Sequence, residues 1–201
     1  MKHKIFFENY INAFLEENSK VNLISKNDEK FLFEKHIFDS LAIDKFFTWF
    51  KPNGEIKLLD IGTGGGFPSV PIALTYNNIE VFALDSIRKK INAIENIKQK
   101  LNIKNLHTIC DRAENLNEKY DIITCRAVAP LKIIVKYAIP LLKDNGYFIA
   151  YKSVKASEEI EDAKNILKKL NAKIINVFEY DLPLKENHVR NLIIISKTNN
   201  Y

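Results

Sequence analysis

The stretch LLDIGTGGGFPSVPIAL, residues 58–74, decides the predicted fold of this chain. The whole sequence of 201 residues contains six glycines, and four of them lie between Gly62 and Gly66. An apolar run precedes this loop, and Pro68 suits the first turn of a helix that follows it. Glycines permit positive φ angles and let the main chain approach a bound molecule closely. Because open α/β sheets bind ligands at the carboxyl ends of their strands, the loop is predicted to hold a ligand.

The sequence after residue 55 alternates between short apolar runs and amphipathic segments, which predicts a parallel sheet with helices on both faces. Only DLPLKENHV separates the last two apolar runs, which is too short for a helical crossover, so these strands are predicted to be antiparallel neighbours. The predicted fold is α/β, with a seven-stranded, mostly parallel sheet whose last strand is reversed. The predicted strands are KLLDI, IEVFALD, NLHTIC, YDIITC, GYFIAY, AKIINVFEY and RNLIIIS, and the predicted helices begin near Pro68 and cover 87–101, 131–142 and 156–170.

The first fifty residues lack this alternation. Apolar residues recur three or four positions apart in residues 2–17 and 28–50, which predicts helices there. The turn-forming cluster KPNGE, residues 51–55, is the best candidate for a boundary. The sequence therefore predicts an N-terminal helical extension over residues 1–50 and a ligand-binding domain over residues 51–201.

Composition and charge exclude several protein classes. No apolar run approaches the roughly 20 residues needed to span a bilayer, and the N-terminus lacks the apolar core of a secretory signal. Cys110 and Cys125 are far apart, which argues against a disulfide scaffold or a zinc site and favours a reducing cytoplasm. The net charge is +5, and six basic residues but only one acid lie between Arg88 and Lys104. This segment suits phosphate binding, and an ordinary solvated helix face is the alternative.

The spacing of the glycines narrows the choice of ligand. In the dinucleotide fingerprint G-x-G-x-x-G, the third glycine would fall on Phe67, which disfavours a nicotinamide oxidoreductase. The pattern from Asp60 through Gly66 instead resembles the first motif of class I S-adenosylmethionine-dependent methyltransferases. That resemblance implies a Rossmann-like fold in which residues 51–201 bind S-adenosylmethionine.

Acidic residues follow the next two predicted strands. Asp85 is placed to accept hydrogen bonds from both ribose hydroxyls of a nucleoside, and capping the following helix is its alternative role. Ala113 and Glu114 would lie near an adenine ring. The alternative for this segment is a capping box between Asp111 and Glu114.

The fourth predicted strand ends in TCRAVAPL, residues 124–131. Enzymes that methylate exocyclic amines usually carry Asn/Asp-Pro-Pro-aromatic at this place, so that chemistry is disfavoured. Cys125 lies in an apolar run without a Pro-Cys pair, so it is interpreted as a core residue rather than a nucleophile. Arg126 would face the ligand crevice, where it can bond a carboxylate, a phosphate or a guanine edge, and a surface salt bridge is its alternative.

Taken in order, these segments resemble the RsmG (GidB) family, bacterial enzymes that methylate N7 of a guanine in small-subunit (16S) ribosomal RNA. The likeness runs through VNLIS, KHIFDSLAI, the glycine loop, LDSIRKKINAIENIKQKLNIKN, DRAE, RAVAPL, PLLKDNGYFIAYK and RNLIIISK. It implies S-adenosylmethionine as cofactor, small-subunit ribosomal RNA or the ribosomal particle as partner, and Arg126 as the catalytic residue. The predicted cofactor contacts are Asp60, Gly62, Gly64, Gly66, Phe67, Asp85, Ala113, Glu114 and Arg126. The predicted RNA contacts are Arg88, Lys89, Lys90, Lys152, Arg190 and His36, and no metal or membrane partner is expected.

Two histidine positions leave alternatives open. His36 and Asp39 lie three residues apart in a predicted helix, where they either cover the cofactor mouth, meet RNA, or form a local hydrogen bond that locks the helix. His188, beside Arg190 at the start of the last strand, is a further candidate for an RNA contact.

The implied reaction explains why the sequence shows no catalytic dyad. Guanine N7 carries a free lone pair, so the enzyme's task is to align it with the methyl carbon at about 3–3.5 Å, with Phe67 packed beside the cofactor. The target base must be unstacked or single-stranded to reach the pocket. The alternatives are a methyltransferase for another RNA, a small molecule or a protein, and a non-catalytic RNA-binding module that keeps the cofactor pocket as a stabilising site.

Overall fold

Seven strands form one sheet in the computed structural model, which describes residues 5–51, 54–186 and 188–197. The order across the sheet is β3-β2-β1-β4-β5-β7-β6. The strands are β1 (Ile56–Ile61), β2 (Ile79–Leu84), β3 (Leu106–Ile109), β4 (Tyr120–Arg126), β5 (Leu142–Lys152), β6 (Ala172–Asp181) and β7 (Val189–Lys197). β1 to β5 pair in parallel, and β7 lies antiparallel to both β5 and β6. The predicted seven-stranded sheet with a reversed last strand is confirmed.

Helices cover both faces of the sheet, as the alternating sequence predicts. The helices after the first strand are α5 (Ser69–Thr75), α6 (Arg88–Leu101), α7 (Leu131–Leu141) and α8 (Ala156–Lys169). α5 and α6 contribute to one buried layer, and α7 and α8 contribute to the other. The predicted bounds of α6, α7 and α8 agree with the structure to within one residue. β5 begins four residues earlier than predicted, directly after α7.

The segment before the sheet is less regular than the periodicity predicts. It contains α1 (Glu8–Val21), α2 (Lys26–Glu29), a π-helical segment (Leu32–Ile37), α3 (Phe38–Leu41) and α4 (Asp44–Trp49). The helix predicted over 2–17 instead continues to Val21, where Asn22 ends it in the left-handed region, and residues 1–4 lie outside the described residues. The helical character predicted for residues 28–50 is present, but it is divided among α2, the π-helical segment, α3 and α4. Ser40 Oγ donates to the carbonyl of His36, a side-chain bond that competes with regular helical bonding.

The N-terminal helices and the sheet share one hydrophobic core. Phe7, Tyr10 and Phe14 of this segment are almost fully buried in the same layer as Leu58 of β1 and Phe67. The division at residues 51–55 therefore stays a prediction, and Pro52 and Asn53 of that cluster lie outside the described residues. Within the described ranges, each helix is too short or too polar to cross a bilayer.

Candidate active site

The glycine loop follows β1 and is held at the carboxyl edge of the sheet. Its backbone has φ angles of 70° at Gly62, 58° at Gly64 and 89° at Gly66, which confirms the expected positive φ. Thr63 N donates to the carbonyl of Leu84 at 2.9 Å, so the loop is tied to the end of β2. A Cβ added to Gly64 would meet only the Gly62 carbonyl, at 3.9 Å, because this face of the loop is open.

A cleft of about 570 Å³ lies against the open face of the loop. This first cleft is bounded by residues 62–65, the end of β2, residues 111–114, residues 126–129 and one face of α7. Its volume falls in the range of roughly 300–1,000 Å³ that small-molecule sites occupy. The predicted cofactor contacts that line it are Gly62, Gly64, Phe67, Asp85, Ala113, Glu114 and Arg126.

Two predicted cofactor contacts, Asp60 and Gly66, lie behind the loop and do not line the cleft. Asp60 is completely buried, where its carboxylate accepts from Thr124 Oγ1 at 2.9 Å and from Ser69 N at 3.3 Å. Burial raises the pKa of Asp60 to about 6. A Cβ on Gly66 would lie 2.6 Å from Val70 Cγ2, so this glycine allows the loop to pack on α5. Both residues therefore shape the loop from behind instead of facing the cleft.

Asp85 joins the glycine loop to the start of α6. Its Oδ2 accepts from Gly64 N at 3.0 Å and its Oδ1 accepts from Ile87 N at 2.9 Å. The second bond turns the chain before α6 but does not cap that helix, because Ile87 is its N-cap residue and no side chain caps it. A carboxylate oxygen can accept a further hydrogen bond. Asp85 is 8% exposed and lines the cleft, so its remaining lone pairs can face a bound hydroxyl.

The far wall of the first cleft comes from a short 3₁₀ helix, Ala113–Asn115, after β3. Asp111 accepts from Arg112 N and from Asn115 Nδ2, so the alternative capping box between Asp111 and Glu114 is not formed. Ala113 and Glu114 line the cleft, as does Ile87, which is 41% exposed. This combination gives an apolar surface beside polar edges, which suits a purine ring.

Arg126 ends β4 and forms a buried network with the N-terminal helices. Nη1 donates to Asp39 Oδ2 at 2.9 Å, and the guanidinium carbon lies 5.2 Å from the centre of the Phe67 ring. Asp39 Oδ1 accepts from Tyr180 Oη at 2.6 Å, so the network reaches the end of β6. The side chain of Arg126 is 15% exposed and that of Asp39 is 6% exposed. The alternative of a surface salt bridge is therefore wrong, because the pair is buried.

His36 completes this network. Its Nδ1 lies 3.1 Å from Arg126 Nη2, and its ring centre lies 5.1 Å from that of Phe67. Burial, followed by the charge of Arg126, lowers the pKa of His36 to about 4, so the ring is neutral at pH 7 and Nδ1 accepts. Nε2 then carries the proton, and this buried atom has no hydrogen-bond partner among the described residues. His36 and Asp39 thus bind Arg126 and do not form the local helix-locking bond.

The predicted RNA contacts occupy different environments. Arg88 and Lys89 are exposed on the first turn of α6, and Lys90 lines the first cleft. Further along α6, Lys98 pairs with Glu95 and Lys100 pairs with Glu16 of α1, so that half of the basic segment is partly neutralised. The first turn of α6 is consequently the more available part of the basic segment.

Lys152 points inward. Its side chain is 9% exposed, and Nζ donates to Glu159 Oε2 at 2.6 Å and to the carbonyl of Ala129 at 2.8 Å. Because these acceptors hold the ammonium group inside the fold, a direct phosphate contact is weakly supported for Lys152. Arg190 on β7 is half-buried, and its side chain donates only to the carbonyl of Val189 among the described residues. The RNA-contacting roles stay predictions.

A second cleft of about 390 Å³ adjoins the first. Both are lined by Arg126 and residues 127–129, which form the boundary between them. Ala127 has a φ of 56°, an uncommon angle for a residue with a Cβ that turns the chain sharply at this boundary. The rest of this second cleft is lined by Pro130, Tyr151, Lys152, Ser153, Glu159 and Arg190.

Several cleft residues were missed by sequence reasoning. Leu23 and Ile24, between α1 and α2, line the first cleft, and a Cβ on Gly65 would lie 3.2 Å from Leu23 Cβ. Both residues lie in VNLIS, a segment that carried the family resemblance without an assigned role. The sequence therefore marked this segment but did not place it at the cleft. Val128 lies in RAVAPL, a segment that also carried the resemblance without an assigned role for this residue. Glu159 had no such local signal, because its importance depends on where distant elements meet.

Cys125 is buried within β4, with 3% of its surface exposed. Burial raises the pKa of this thiol to about 12. A thiol that stays protonated is a poor nucleophile, which supports the interpretation of Cys125 as a core residue. Among the residues that the structure describes, no three His, Cys, Asp or Glu side chains are grouped so that they could hold a metal ion.

The residues of the first cleft fit S-adenosylmethionine. The open face of Gly64 admits a ligand against the main chain, and Asp85 offers acceptors at the end of β2. At the other end, the unpartnered Nε2 of His36 is a buried donor, and Arg126 supplies a cation. A molecule with ribose hydroxyls and a carboxylate would find matching groups at both ends.

Relatives with the name ribosomal RNA small subunit methyltransferase G resemble this chain over most of its length. One from Bacillus licheniformis is 37% identical over 197 residues, which covers 95% of this chain and 81% of the relative. One from Streptococcus pyogenes serotype M1 is 38% identical over 188 residues, which covers 90% and 78%. One from Thermoanaerobacter sp. is 37% identical over 206 residues, which covers 100% and 84%.

Solved structures of methyltransferases share the fold at low sequence identity. Precorrin-6y C5,15-methyltransferase from Geobacter metallireducens aligns with a TM-score of 0.60 at 16% identity, covering 88% of this chain and 91% of that chain. Magnesium protoporphyrin IX methyltransferase from Synechocystis, solved with bound SAH, aligns with a TM-score of 0.60 at 15% identity, covering 79% and 83%. The predicted class I methyltransferase fold is thereby confirmed.

A family model supplies the last comparison. The model described as GidB, rRNA small subunit methyltransferase G, matches residues 4–198. The match includes the N-terminal helices as well as the sheet, so the predicted family resemblance is confirmed along almost the whole sequence. The chain belongs to the GidB family, rRNA small subunit methyltransferase G.

Proposed function

We propose that this protein transfers the methyl group of S-adenosylmethionine to N7 of a guanine in small-subunit (16S) ribosomal RNA. The observation that carries the proposal is the first cleft, in which an open glycine loop, Asp85 and Arg126 meet at the carboxyl edge of the sheet. Membership of the GidB family supports the ribosomal RNA substrate. A ribosomal substrate in turn supports a cytoplasmic location.

The cofactor would lie along the carboxyl ends of β1, β2 and β4. Asp85 would accept from the ribose hydroxyls, while Ala113, Glu114 and Ile87 would border the adenine ring. Arg126 has five N–H groups, and three of them are used by Asp39, Lys35 and His36. The remaining N–H groups of Arg126 and the Nε2–H of His36 would bind the carboxylate of the methionine part.

The bound cofactor supplies an electrophilic methyl group carried on a sulfonium ion. Guanine N7 has a lone pair and no proton to lose, so no residue of this chain has to act as a base. The chain's residues instead position the two reactants and exclude water, which is a large part of catalysis for a two-substrate reaction. Phe67 contributes by packing against Arg126 and His36, which fixes the cation beside the cleft.

RNA would approach from the edge of the sheet that carries both clefts. Arg88, Lys89 and Lys90 lie in the first turn of α6, where the helix dipole disfavours cations. Their placement therefore does not serve the stability of α6 and is better explained by an anionic partner. Phosphates of RNA are such a partner, and their binding should weaken as salt increases.

The test is methylation of small ribosomal subunits from cells that lack this protein. The purified chain and S-adenosylmethionine are added, and the ribosomal RNA is digested and mapped by mass spectrometry. The proposal expects one new N7-methylguanine, and none when S-adenosylmethionine is left out. Methyl transfer to a ribosomal protein or to a small molecule instead of the RNA would favour the alternative methyltransferases. Cofactor binding without methylation of any ribosomal substrate would favour the non-catalytic RNA-binding module.

A further inference from the structure

The second cleft contains a carboxylate, that of Glu159, which has no role in the cofactor binding described above. Glu159 lies in the first turn of α8, and its side chain is 26% exposed. Its Oε2 accepts from Lys152 Nζ at 2.6 Å and from Leu131 N, at the start of α7, also at 2.6 Å. Its Oε1 has no hydrogen-bond partner among the residues that the structure describes. One oxygen is thus fixed in place and the other is free in the cleft.

Positive charge and two helix N-termini surround the carboxylate of Glu159. Lys152 is a buried cation in direct contact with it, and the N-termini of α7 and α8 both favour a negative charge. An ionised carboxylate accepts hydrogen bonds and donates none. Glu159 therefore selects a partner that presents N–H groups.

We infer that Glu159 binds the Watson–Crick edge of the target guanine in the second cleft and that Lys152 positions it. This inference rests on the proposed function. The two clefts meet at Arg126 and residues 127–129, so a base in the second cleft can face a cofactor in the first. N7 and the N1–H and N2–H₂ groups lie on opposite edges of guanine. When N7 points toward the first cleft, those donors point into the second, where Glu159 is.

The chemistry of the transfer gives Glu159 a second effect. The N7–CH₃ bond forms while the CH₃–S bond breaks, the electron pair of the broken bond stays on sulfur, and no proton moves. The purine gains a positive charge as the sulfonium loses its own. Hydrogen bonds from N1–H and N2–H₂ to an anion strengthen as this charge develops. Glu159 thus favours the transition state as well as the guanine base.

A phosphate group is a poorer occupant of this site. The charge of Lys152 is neutralised by Glu159, and an anion near Oε1 would be repelled. Arg190 lines the same cleft without a carboxylate partner among the described residues and remains available to the nucleotide's own phosphate. The site therefore suits a neutral base edge with a phosphate on its Arg190 side.

The first experiment uses the unaltered protein. After mass mapping has located the methylated guanine, small subunits are assembled with inosine in that position, which removes only the N2 amine. We expect kcat/KM to fall about 10- to 100-fold, the effect of one lost hydrogen bond to a charged group. Equal kcat/KM for guanine and inosine would overturn the inference, whereas failure to methylate either base would contradict the proposed function.

The second experiment compares Glu159→Gln with Glu158→Gln, a neighbouring exposed residue outside both clefts. We expect Glu159→Gln to lower kcat/KM for the guanine substrate about 10- to 100-fold. The ratio of kcat/KM for guanine to kcat/KM for inosine should then come close to one. Glu158→Gln should leave both values unchanged. An undiminished ratio in Glu159→Gln would overturn the inference. If this variant does not fold, as judged by its melting temperature and S-adenosylhomocysteine affinity, Glu159→Asp keeps the charge and must still lower the ratio.

Discussion

The two clefts share Arg126 but are built from different parts of the protein. Main-chain atoms of one loop form the floor of the first cleft, and a single local motif, residues 62–67, encodes it. The second cleft is lined by side chains from three separate elements, namely Lys152 of β5, Glu159 of α8 and Arg190 of β7. A site made of main chain in one loop is visible in a sequence, whereas a site made of distant side chains becomes visible only in the fold.

The boundary between the clefts should be the position most sensitive to substitution. Arg126→Met leaves the carboxylate of Asp39 buried without its cation, and we expect a loss of about 3–5 kcal/mol in the free energy of unfolding. Arg190→Met, which removes the same kind of side chain from the second cleft alone, should change stability by less than about 0.5 kcal/mol. Urea denaturation of both variants measures the difference. A similar loss of unfolding free energy in both variants would mean that the buried network of Arg126 and Asp39 does not stabilise the fold.

Two residues near the first cleft should give opposite dependences of stability on pH. Burial raises the pKa of Asp60 to about 6, so its contribution is present below the unfolded pKa of about 4 and is lost as the pH rises through about 6. The pKa of His36 is lowered to about 4, so its contribution is present above the unfolded pKa of about 6.5 and is lost as the pH falls through about 4. The two contributions oppose each other between these limits.

Single variants should expose each contribution. Between about pH 4 and 6.5, Asp60→Asn should make the unfolding free energy rise with pH by about 1–3 kcal/mol relative to the wild type. His36→Leu should make it fall with pH by a similar amount. Urea titrations at half-unit pH steps provide the measurement. Profiles parallel to that of the wild type in both variants would mean that neither residue titrates abnormally.

The main-chain character of the first cleft can be tested at Gly64. Gly64→Ala adds a Cβ in open space at a φ of 58°, so we expect a stability loss of about 1–2 kcal/mol from the backbone angle. Gly54→Ala is the matched control, because its φ is 88° and it also has open space, but it lies outside the cleft. Calorimetry with S-adenosylhomocysteine should show weaker binding, by about tenfold, for Gly64→Ala alone. Equal affinity in both variants would place the ligand elsewhere.

The smallest effect on folding is expected in the first turn of α6, next to the first cleft. Lys89→Glu exchanges a cation for an anion in the first turn of α6, which should raise stability by about 0.3–1 kcal/mol. The same change should weaken binding to small ribosomal subunits and reduce the salt dependence by about one phosphate contact. Lys173→Glu, an exposed substitution on the edge strand β6, serves as the control. Equal loss of binding in both variants would indicate a net-charge effect only.

The contrast between the clefts also explains which parts of the structure could be predicted from the sequence. The strands and the helices α6, α7 and α8 follow from local periodicity, and the positive φ angles follow from the glycines. The cleft positions of Asp85, Ala113 and Glu114 follow from the rule that ligands bind at strand ends. Asp60 was predicted to contact the cofactor but lies behind the loop. Membership of a motif does not tell whether a residue faces the ligand or supports the loop from behind.

The N-terminal segment was harder to predict for a tertiary reason. Its periodicity indicates a helix but does not distinguish the π-helical winding between Leu32 and Ile37 from an α-helix. His36 and Asp39 meet Arg126 some ninety positions later. Lys152 shows the same limit, because a lysine beside a strand end suggests an outward cation and only the fold reveals the partner that turns it inward.

Asp39 receives hydrogen bonds from Arg126 and from Tyr180, so three well-separated stretches of the gene specify one buried charge. These residues cannot be substituted independently, because loss of the arginine leaves the carboxylate of Asp39 buried without a cation. Replacement of Arg126 in a distant descendant should therefore be accompanied by a neutral residue in place of Asp39. Sequence surveys of the family can look for this coupled exchange without any biochemical assay.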